Sequence, residues 1–156
     1  MEGKMNAKVL RVLEYDKVIR MLEDKATSAP GRELCRALVP MTDLSEIEAA
    51  QEETAAALAR IFRKGSISFG NNRPLGMSLR SLEIGSTLSA PELLGIAGLL
   101  ENAARVKNYG RQEKDDEAAD CLTEDFQFLE PLTPLSSEIR RCILSEEEIA
   151  DDAHAN

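Results

Sequence analysis

The sequence predicts an all-α fold, an irregular bundle of about six or seven helices without a sheet. Apolar residues recur at intervals of three or four along most of the 156 residues, which is the period of a helix. No stretch of any length alternates with the two-residue period of a strand. Apolar residues make up 43% of the chain, but Trp is absent and only two Tyr and four Phe occur, so the core is expected to be aliphatic.

Two helices are predicted before residue 40. The first covers Asn6–Ala26, and one face of it is apolar, with Leu10 and Leu13 ahead of that face forming either an extended lead-in or a first turn. That face consists of Tyr15, Val18, Ile19, Leu22 and Ala26. Ser28 is placed to cap a second, shorter helix with Pro30 in its first turn, and this helix should end before Pro40.

The stretch Asp43–Gly65 is the best-specified helix of the chain, and the rest is expected to pack around it. Its apolar or small residues are spaced by three and four positions, which places them in one stripe. The stripe consists of Leu44, Ile47, Gln51, Thr54, Leu58 and Ile61. Asp43 can cap the helix with Glu46 completing a capping box, Thr42 is an equally good cap, and Gly65 is the predicted stop.

The segment Ser66–Pro74 is rich in Ser, Gly and Asn and predicts a loop. A glycine-rich loop ahead of a helix can bind phosphate, so that alternative has to be weighed. The segment lacks the G-x-x-x-x-G-K-[ST] pattern, and Gly65, Gly70 and Gly76 do not fit G-x-G-x-x-G. A plain connector is the favoured interpretation.

Two more helices follow this loop. Leu75–Ile84 predicts a short one. Ser89 with Glu92 forms a capping box, so the next helix should run from there to a stop at Gly110. Within it, Gly95 and Gly98 lower helix propensity by about 1 kcal/mol each, which suggests close approach of a neighbouring helix.

The last part of the chain predicts two short helices. Residues 121–129 supply one, and Ser136 or Ser137 can cap the other, with Ile139, Cys142 and Ile143 facing inward. Acidic residues are concentrated after residue 111, and the whole chain has a net charge of −9. An acidic chain without a basic stripe is a poor nucleic-acid binder on its own.

No catalytic, cofactor-binding or metal-binding residue can be assigned from the residue pattern. His154 is the only histidine, so neither a Ser/His/Asp set nor a His-based metal site can be assembled. The carboxylate runs at 146–148 and 151–152 are more typical of a solvated helix end than of a metal site. Cys35, Cys121 and Cys142 lack CxxC spacing, so we expect reduced, mostly buried thiols.

No apolar run approaches the roughly 18 residues that a membrane span requires, and no signal segment is present, so a cytoplasmic location is expected. The pattern as a whole predicts a non-catalytic helical interaction or scaffold domain. Whether any residue touches nucleic acid stays open at this point.

A series of short motifs then suggests a family. The motifs are Leu13-Glu14-Tyr15-Asp16-Lys17-Val18, Ala26-x-Ser28-x-x-Gly31-Arg32, Leu38-x-Pro40-x-Thr42-Asp43, Glu52-Glu53-Thr54, Leu88-Ser89-x-Pro91-Glu92-Leu93, Ile139-Arg140-Arg141-Cys142-Ile143 and Ile149-x-Asp151-Asp152-Ala153. Each motif is weak alone, but their order and spacing are specific. The series covers nearly the whole chain and resembles the N-terminal region of the second bacterial type of MutS protein.

The resemblance implies that residues 6–144 form a helical core, or lever, segment. Residues 1–5 would be a cloning remnant or a disordered start, and residues 145–156 an acidic tail that leads into an absent clamp. The full-length family is an ATP- and magnesium-dependent endonuclease that suppresses homologous recombination and is associated with rescue of stalled ribosomes. Its ATP-binding and nuclease residues have no counterparts here, so no enzymatic activity is expected of this chain.

The implied partners are the remainder of the longer protein (clamp, second half of the core and ATPase domain) and, through it, branched DNA or a ribosome. Half a core should leave apolar helix faces exposed, on the Asp43–Gly65 helix or on residues 93–106, and these faces could support a homo-oligomer. The alternative is a free-standing helical adaptor that binds a partner protein.

Overall fold

The structure is a computed structural model and describes residues 7–70, 74–111 and 119–153. Over these ranges it contains eight α-helices and no sheet, with one isolated antiparallel bridge between Ile143 and Ile149. The predicted all-α class is therefore confirmed. None of the helices in these ranges is both long and apolar enough to cross a membrane. The predictions for residues 1–5, for the middle of the 66–74 loop and for His154 lie outside the described residues.

The chain divides into two compact units. The first contains residues 7–70 and 119–122 of the described ranges, and the second contains residues 74–111 and 123–153. The predicted boundaries after residues 5 and 144 do not coincide with this division and stay predictions.

The first unit contains four helices. They are α1 (Ala7–Val12), α2 (Tyr15–Glu23), α3 (Ala29–Ala37) and α4 (Leu44–Lys64). Helix α2 packs against α3, and the Tyr15 hydroxyl donates a hydrogen bond of 3.3 Å to the Leu38 carbonyl at the end of α3.

The prediction of a single helix over Asn6–Ala26 is wrong, because the helix is interrupted at Glu14. Glu14 has a left-handed backbone (φ 51°), which interrupts the α-helical hydrogen-bond series. Its N–H donates to the Arg11 carbonyl at 3.1 Å, and its own carbonyl accepts from Lys17 at 2.9 Å, so α1 ends and α2 begins within one turn. Neither Gly nor Pro marks this position, which is why the periodicity predicted one continuous helix.

Helix α3 begins as predicted. The Gly31 N–H donates to Ser28 Oγ at 3.1 Å, and Pro30 lies in the first turn. A side chain at Gly31 would place its Cβ 2.9 Å from Ser28 Oγ, so the cap itself favours glycine there. The helix ends at Ala37, before Pro40.

The second unit contains the other four helices and the buried apolar core. The helices are α5 (Gly76–Glu83), α6 (Ala90–Gly110), α7 (Thr123–Phe128) and α8 (Thr133–Cys142). Helix α6 packs against α8, and Ala97, Ile139 and Ile143 are buried at their contact. The partly buried residues around them are Ala90, Leu93, Leu94, Ile96 and Cys142.

The capping box of α6 is present as predicted. The Glu92 carboxylate accepts hydrogen bonds from the Ser89 N–H at 2.9 Å and the Ser89 hydroxyl at 2.7 Å. It also accepts one of 3.1 Å from the buried hydroxyl of Ser78, so one carboxylate both caps α6 and binds α5. Those bonds stabilise the ionised form and lower the pKa of Glu92, the Ser89 N–H contributing most.

Helix α8 begins earlier than predicted, so the assignment of Ser136 or Ser137 as its cap is wrong. Pro134 lies in the first turn, where its missing N–H has no cost, and Leu132 ahead of it takes a left-handed backbone (φ 41°). Ser136 is instead buried inside the helix and donates to the Thr133 carbonyl at 3.0 Å. The predicted inward positions of Ile139 and Ile143 are correct.

Residues 144–153 fold back onto the end of α8. The Ala150 N–H donates to the Cys142 carbonyl at 2.9 Å, and Arg141 donates to the Asp152 carbonyl at 2.9 Å. Arg141 also lies 3.5 Å from the Asp152 carboxylate, so it partly offsets that one charge.

The close helix approach predicted at Gly95 and Gly98 is not observed. A Cβ at Gly95 would meet no atom within 4 Å, and one at Gly98 would meet only the tip of Arg140 at 4.0 Å. The tight position is Gly110, where an added Cβ would overlap the Cβ and Cγ atoms of Phe126.

We expect Gly110→Ala to lower the unfolding free energy of the second unit by about 1–3 kcal/mol, because Phe126 must move to admit the methyl group. Gly95→Ala is the matched control in the same helix, and it should raise stability by about 0.5–1 kcal/mol. Amide hydrogen exchange of α6 during urea titration measures both values. Equal effects of the two substitutions would contradict the proposed overlap.

We also expect Glu92→Gln to destabilise the second unit at neutral pH. The pKa of Glu92 is lowered in the folded state, so the stabilisation that its ionised carboxylate gives the second unit is complete above the ordinary pKa of 4.5. This stabilisation is lost as pH falls through the folded-state pKa. The stability difference between wild type and variant should therefore shrink as pH falls below 4.5. Thermal unfolding at a series of pH values tests this, and a difference independent of pH would contradict it.

Candidate interaction surface

The long helix α4 carries the candidate surface. Its N-terminus is capped by Asp43, whose carboxylate accepts from the N–H groups of Ser45 at 2.9 Å and Glu46 at 3.2 Å. These bonds and the one from the Ser45 hydroxyl lower the pKa of Asp43, the hydroxyl contributing most. Gly65 ends the helix with φ 79°, as predicted. Asp43 rather than Thr42 is therefore the cap.

Most of the predicted apolar stripe on α4 is exposed. Leu44, Leu58 and Ile61 are 67%, 52% and 45% exposed, and Phe62 beside them is 81% exposed. Gln51 and Thr54 in the middle of the stripe are also exposed, and Ile47 is half-buried. The expectation of an exposed apolar face is therefore correct for α4. It is wrong for residues 93–106 of α6, whose predicted apolar face is half-buried or buried.

The single buried residue of α4 is an arginine. Arg60 forms a two-bond ion pair with Asp120, with Nε to Oδ2 at 2.7 Å and Nη2 to Oδ1 at 2.6 Å. The Arg60 side chain is 6% exposed and that of Asp120 is 20% exposed. The Leu122 N–H donates to the same carboxylate at 3.1 Å. This pair attaches residues 119–122 to the long helix inside the first unit.

The ion pair between Arg60 and Asp120 was not predicted from the sequence. No local signal joins two residues 60 positions apart.

The rest of the first unit also lacks a closed apolar core. None of the apolar side chains described in this unit is fully buried. Met21, Leu34 and Val39, from α2, α3 and the segment after α3, are about 70% exposed. The α2–α3 pair is held in part by the Glu23–Arg36 ion pair, and the hydrogen bond from Arg36 lowers the pKa of Glu23. Polar contacts therefore supply much of the order in this unit.

The described residues contain no arrangement that resembles an activated nucleophile. The three cysteines are free, but the expectation of mostly buried thiols is wrong: Cys121 is exposed and Cys35 and Cys142 are half-buried. Partial desolvation raises the pKa of Cys121, and the nearby Glu52 carboxylate raises it further. A raised pKa reduces the thiolate fraction, which is the opposite of activation.

The carboxylates of the 146–152 run do not converge on one point. Within the part of the chain that the structure describes, no three His, Cys, Asp or Glu side chains lie together as metal ligands would. Asp152 instead lies 3.5 Å from Arg141, which also pairs with Glu138 at 2.6 Å. The bond from Arg141 lowers the pKa of Glu138.

The second unit contains a cleft of about 300 Å³ between the end of α6 and α7. Its lining is Lys107, Gly110, Arg111, Thr123, Phe126 and Gln127. The Lys107 ammonium donates to the Leu129 carbonyl at 2.8 Å. This side chain therefore holds the residues that follow α7 against α6. The exposed stripe of α4 is therefore the stronger candidate for a functional surface.

Comparison with known proteins finds relatives that share one name. No family model matches the chain. Endonuclease MutS2 of Lachnoclostridium phytofermentans is 49% identical over 154 residues, and Endonuclease MutS2 of Agathobacter rectalis is 47% identical over 149 residues. Each match covers 96% of this chain. The chain is homologous to a segment of Endonuclease MutS2.

The resemblance inferred from the ordered motifs is thus confirmed. A third MutS2, from Ruminiclostridium cellulolyticum, is 40% identical over 149 residues. In all three comparisons the match covers 19% of the relative, so the chain spans about a fifth of the length of these MutS2 proteins.

We expect Asp120→Asn to lower the unfolding free energy of the first unit by about 2–3 kcal/mol, because the buried Arg60 loses the charge of the carboxylate to which it donates two hydrogen bonds. The matched control is Glu101→Gln. Its partner Arg140 also forms a two-bond pair, with slightly longer distances of 2.8 and 2.9 Å, and both side chains are nearly half exposed. Glu101→Gln should lower the unfolding free energy of the second unit by less than about 1 kcal/mol.

Residue-resolved hydrogen exchange at increasing urea separates the two units and measures both losses. Equal losses for Asp120→Asn and Glu101→Gln would show that burial adds nothing to the Arg60 pair.

Proposed function

We propose that this chain is the helical core, or lever, segment from the N-terminal region of a larger MutS2-type protein and that it performs no catalysis itself. The observation that carries the proposal is the match of 96% of the chain to only a fifth of Endonuclease MutS2.

The helices suit mechanical transmission. Helices α4 and α6 contain 21 residues each, which corresponds to rods of about 30 Å. A rod displaced at one end moves at the other, so such a segment can carry a change of state between distant domains. In this role its residues position other domains and do not contact a reacting group.

The larger protein would supply the chemistry. We propose a cytoplasmic protein with an ATPase domain that uses magnesium, a clamp that grips branched DNA or a ribosome, and a nuclease domain. Its activity would suppress homologous recombination or rescue stalled ribosomes. The exposed apolar residues of the first unit outside α4, such as Met21 and Leu34, are a surface to which the remainder of the chain could pack.

A second candidate is a free-standing adaptor that binds a helix of another protein. The exposed apolar stripe of α4 favours it, since amphipathic helices bind one another through such stripes. The gene's reading frame separates the two candidates. Continuation past Asn156 into a clamp and a Walker loop supports the lever, and a stop codon there supports the adaptor.

Transmission is tested in the protein translated from the gene's full reading frame. Inserting Gly-Gly between Glu53 and Thr54 turns the second half of α4 by about 200° and softens the rod. We expect basal MgATP hydrolysis to stay within twofold of wild type, while its stimulation by branched DNA or by ribosomes is lost.

Leu58→Asp is the matched control, because it changes the exposed stripe and leaves the helix continuous. It should keep the stimulation. If the Gly-Gly variant kept the stimulation of ATP hydrolysis, the lever proposal would be overturned. ATP hydrolysis or DNA cleavage by the 156-residue chain alone would overturn the proposal that it is non-catalytic.

A further inference from the structure

Residues 144–153, here called the strap, reverse the direction of the chain directly after α8. The Leu144 N–H donates to the Glu148 carbonyl at 3.0 Å, which closes a tight turn. After the turn, Ile149 lies antiparallel to Ile143 in the isolated bridge. Leu144 and Ile149 are 57% and 63% exposed, so the strap itself buries little apolar surface. Polar contacts must therefore hold it against the helix.

Arg141, in the last turn of α8, contacts both its own helix and the strap. Its Nε and Nη2 donate to the Glu138 carboxylate at 3.0 and 2.6 Å. Its Nη1 donates to the Asp152 carbonyl at 2.9 Å and lies 3.5 Å from the Asp152 carboxylate. Because Glu138 binds one edge of the planar guanidinium, it orients the remaining nitrogen toward the strap.

The strap also caps the end of α8. The Cys142 carbonyl belongs to the last turn, where a helix leaves its carbonyls without intrahelical partners. The Ala150 N–H donates to this carbonyl at 2.9 Å. The Cys142 thiol donates to the Ala153 carbonyl at 3.7 Å, so the far end of the strap touches the same residue of the helix.

Charge opposes this arrangement. The strap contains no Lys or Arg, and its carboxylates are those of Glu146, Glu147, Glu148, Asp151 and Asp152. They lie after the C-terminus of α8, where the helix dipole is negative, so the dipole and their mutual repulsion both disfavour docking. Within the described ranges, Arg141 is the one basic side chain that forms an ion pair with the strap. The docked state therefore depends on a single residue.

We propose that the strap opens and closes on the end of α8, with Arg141 holding it closed and Glu138 orienting Arg141. The closed state caps the Cys142 carbonyl and keeps the acidic residues beside the helix, and the open state releases both. Opening breaks few contacts, so it is a local event that leaves α8 packed against α6. The inference rests on the contacts of the second unit and does not depend on the lever proposal.

Residue-resolved amide hydrogen exchange of the 156-residue chain tests the strap. Arg141→Gln removes a charged donor, so we expect the Ala150 amide to exchange at least about tenfold faster. The amide of Ile139, which is buried inside α8, should stay within about threefold of its wild-type rate. This difference separates opening of the strap from unfolding of the helix.

Arg140→Gln is the matched control. It removes the same charge from the same turn of α8, but Arg140 pairs with Glu101 of α6 and not with the strap. The exchange rate of the Ala150 amide should therefore stay within about threefold of wild type.

Arg141→Lys tests the role of orientation, because lysine keeps the charge but lacks the planar fork that binds Glu138 and the strap together. It should raise the Ala150 exchange rate nearly as much as Arg141→Gln. Glu138→Ala should raise that rate by a smaller factor of about three, since Arg141 then keeps its charge and loses its orienting partner.

Three results would overturn the proposal that Arg141 holds the strap closed. They are an unchanged Ala150 rate in Arg141→Gln, an equal rise in Arg140→Gln, and a rise at Ile139 as large as that at Ala150. A wild-type Ala150 rate in Arg141→Lys would overturn the orienting role of Glu138. The lever experiment measures ATP hydrolysis, so failure of one proposal is distinguishable from failure of the other.

Discussion

The ion pair between Arg60 and Asp120 is the interaction on which the first unit depends most. It is the one point at which the long helix α4 buries a side chain, and it joins that helix to a segment 60 residues further along the chain. Burying two charges has a large desolvation cost, which is offset here by two short hydrogen bonds and by the nearby Leu122 N–H. Because this anchor is polar, the apolar stripe on the other side of α4 stays available for another contact.

The two units are held together by different forces. The second has an apolar contact between α6 and α8 around Ala97 and Ile139, and its α5 is bound to α6 through Ser78 and Glu92. The first relies on helix caps and ion pairs, and its apolar side chains stay at least partly exposed. A unit of this kind gains stability when something covers those side chains. This requirement agrees with the lever proposal, in which the remainder of a larger protein packs against the first unit.

Local signals predicted much of this structure because their causes are local. The cap at Ser28, the capping box at Ser89 and Glu92 and the stop at Gly65 each depend on hydrogen bonds or backbone angles within a few residues. The predictions missed the helix break at Glu14 and placed the start of α8 too late. A left-handed backbone at Glu14 and at Leu132 leaves no signature in those side chains. The apolar stripe of α4 could be predicted from its period, but its exposure could not.

The sequence by itself determined the all-α class, most helix ends, the family and the apolar face of α4, because periodicity, capping and ordered motifs are properties of neighbouring residues. Only the tertiary structure decided which faces are covered. It placed Arg60 inside and Leu44 and Phe62 outside, and it located the tight glycine at Gly110 instead of Gly95. Those outcomes depend on contacts between residues far apart in the chain, and a sequence pattern carries no record of which distant residue fills a given space.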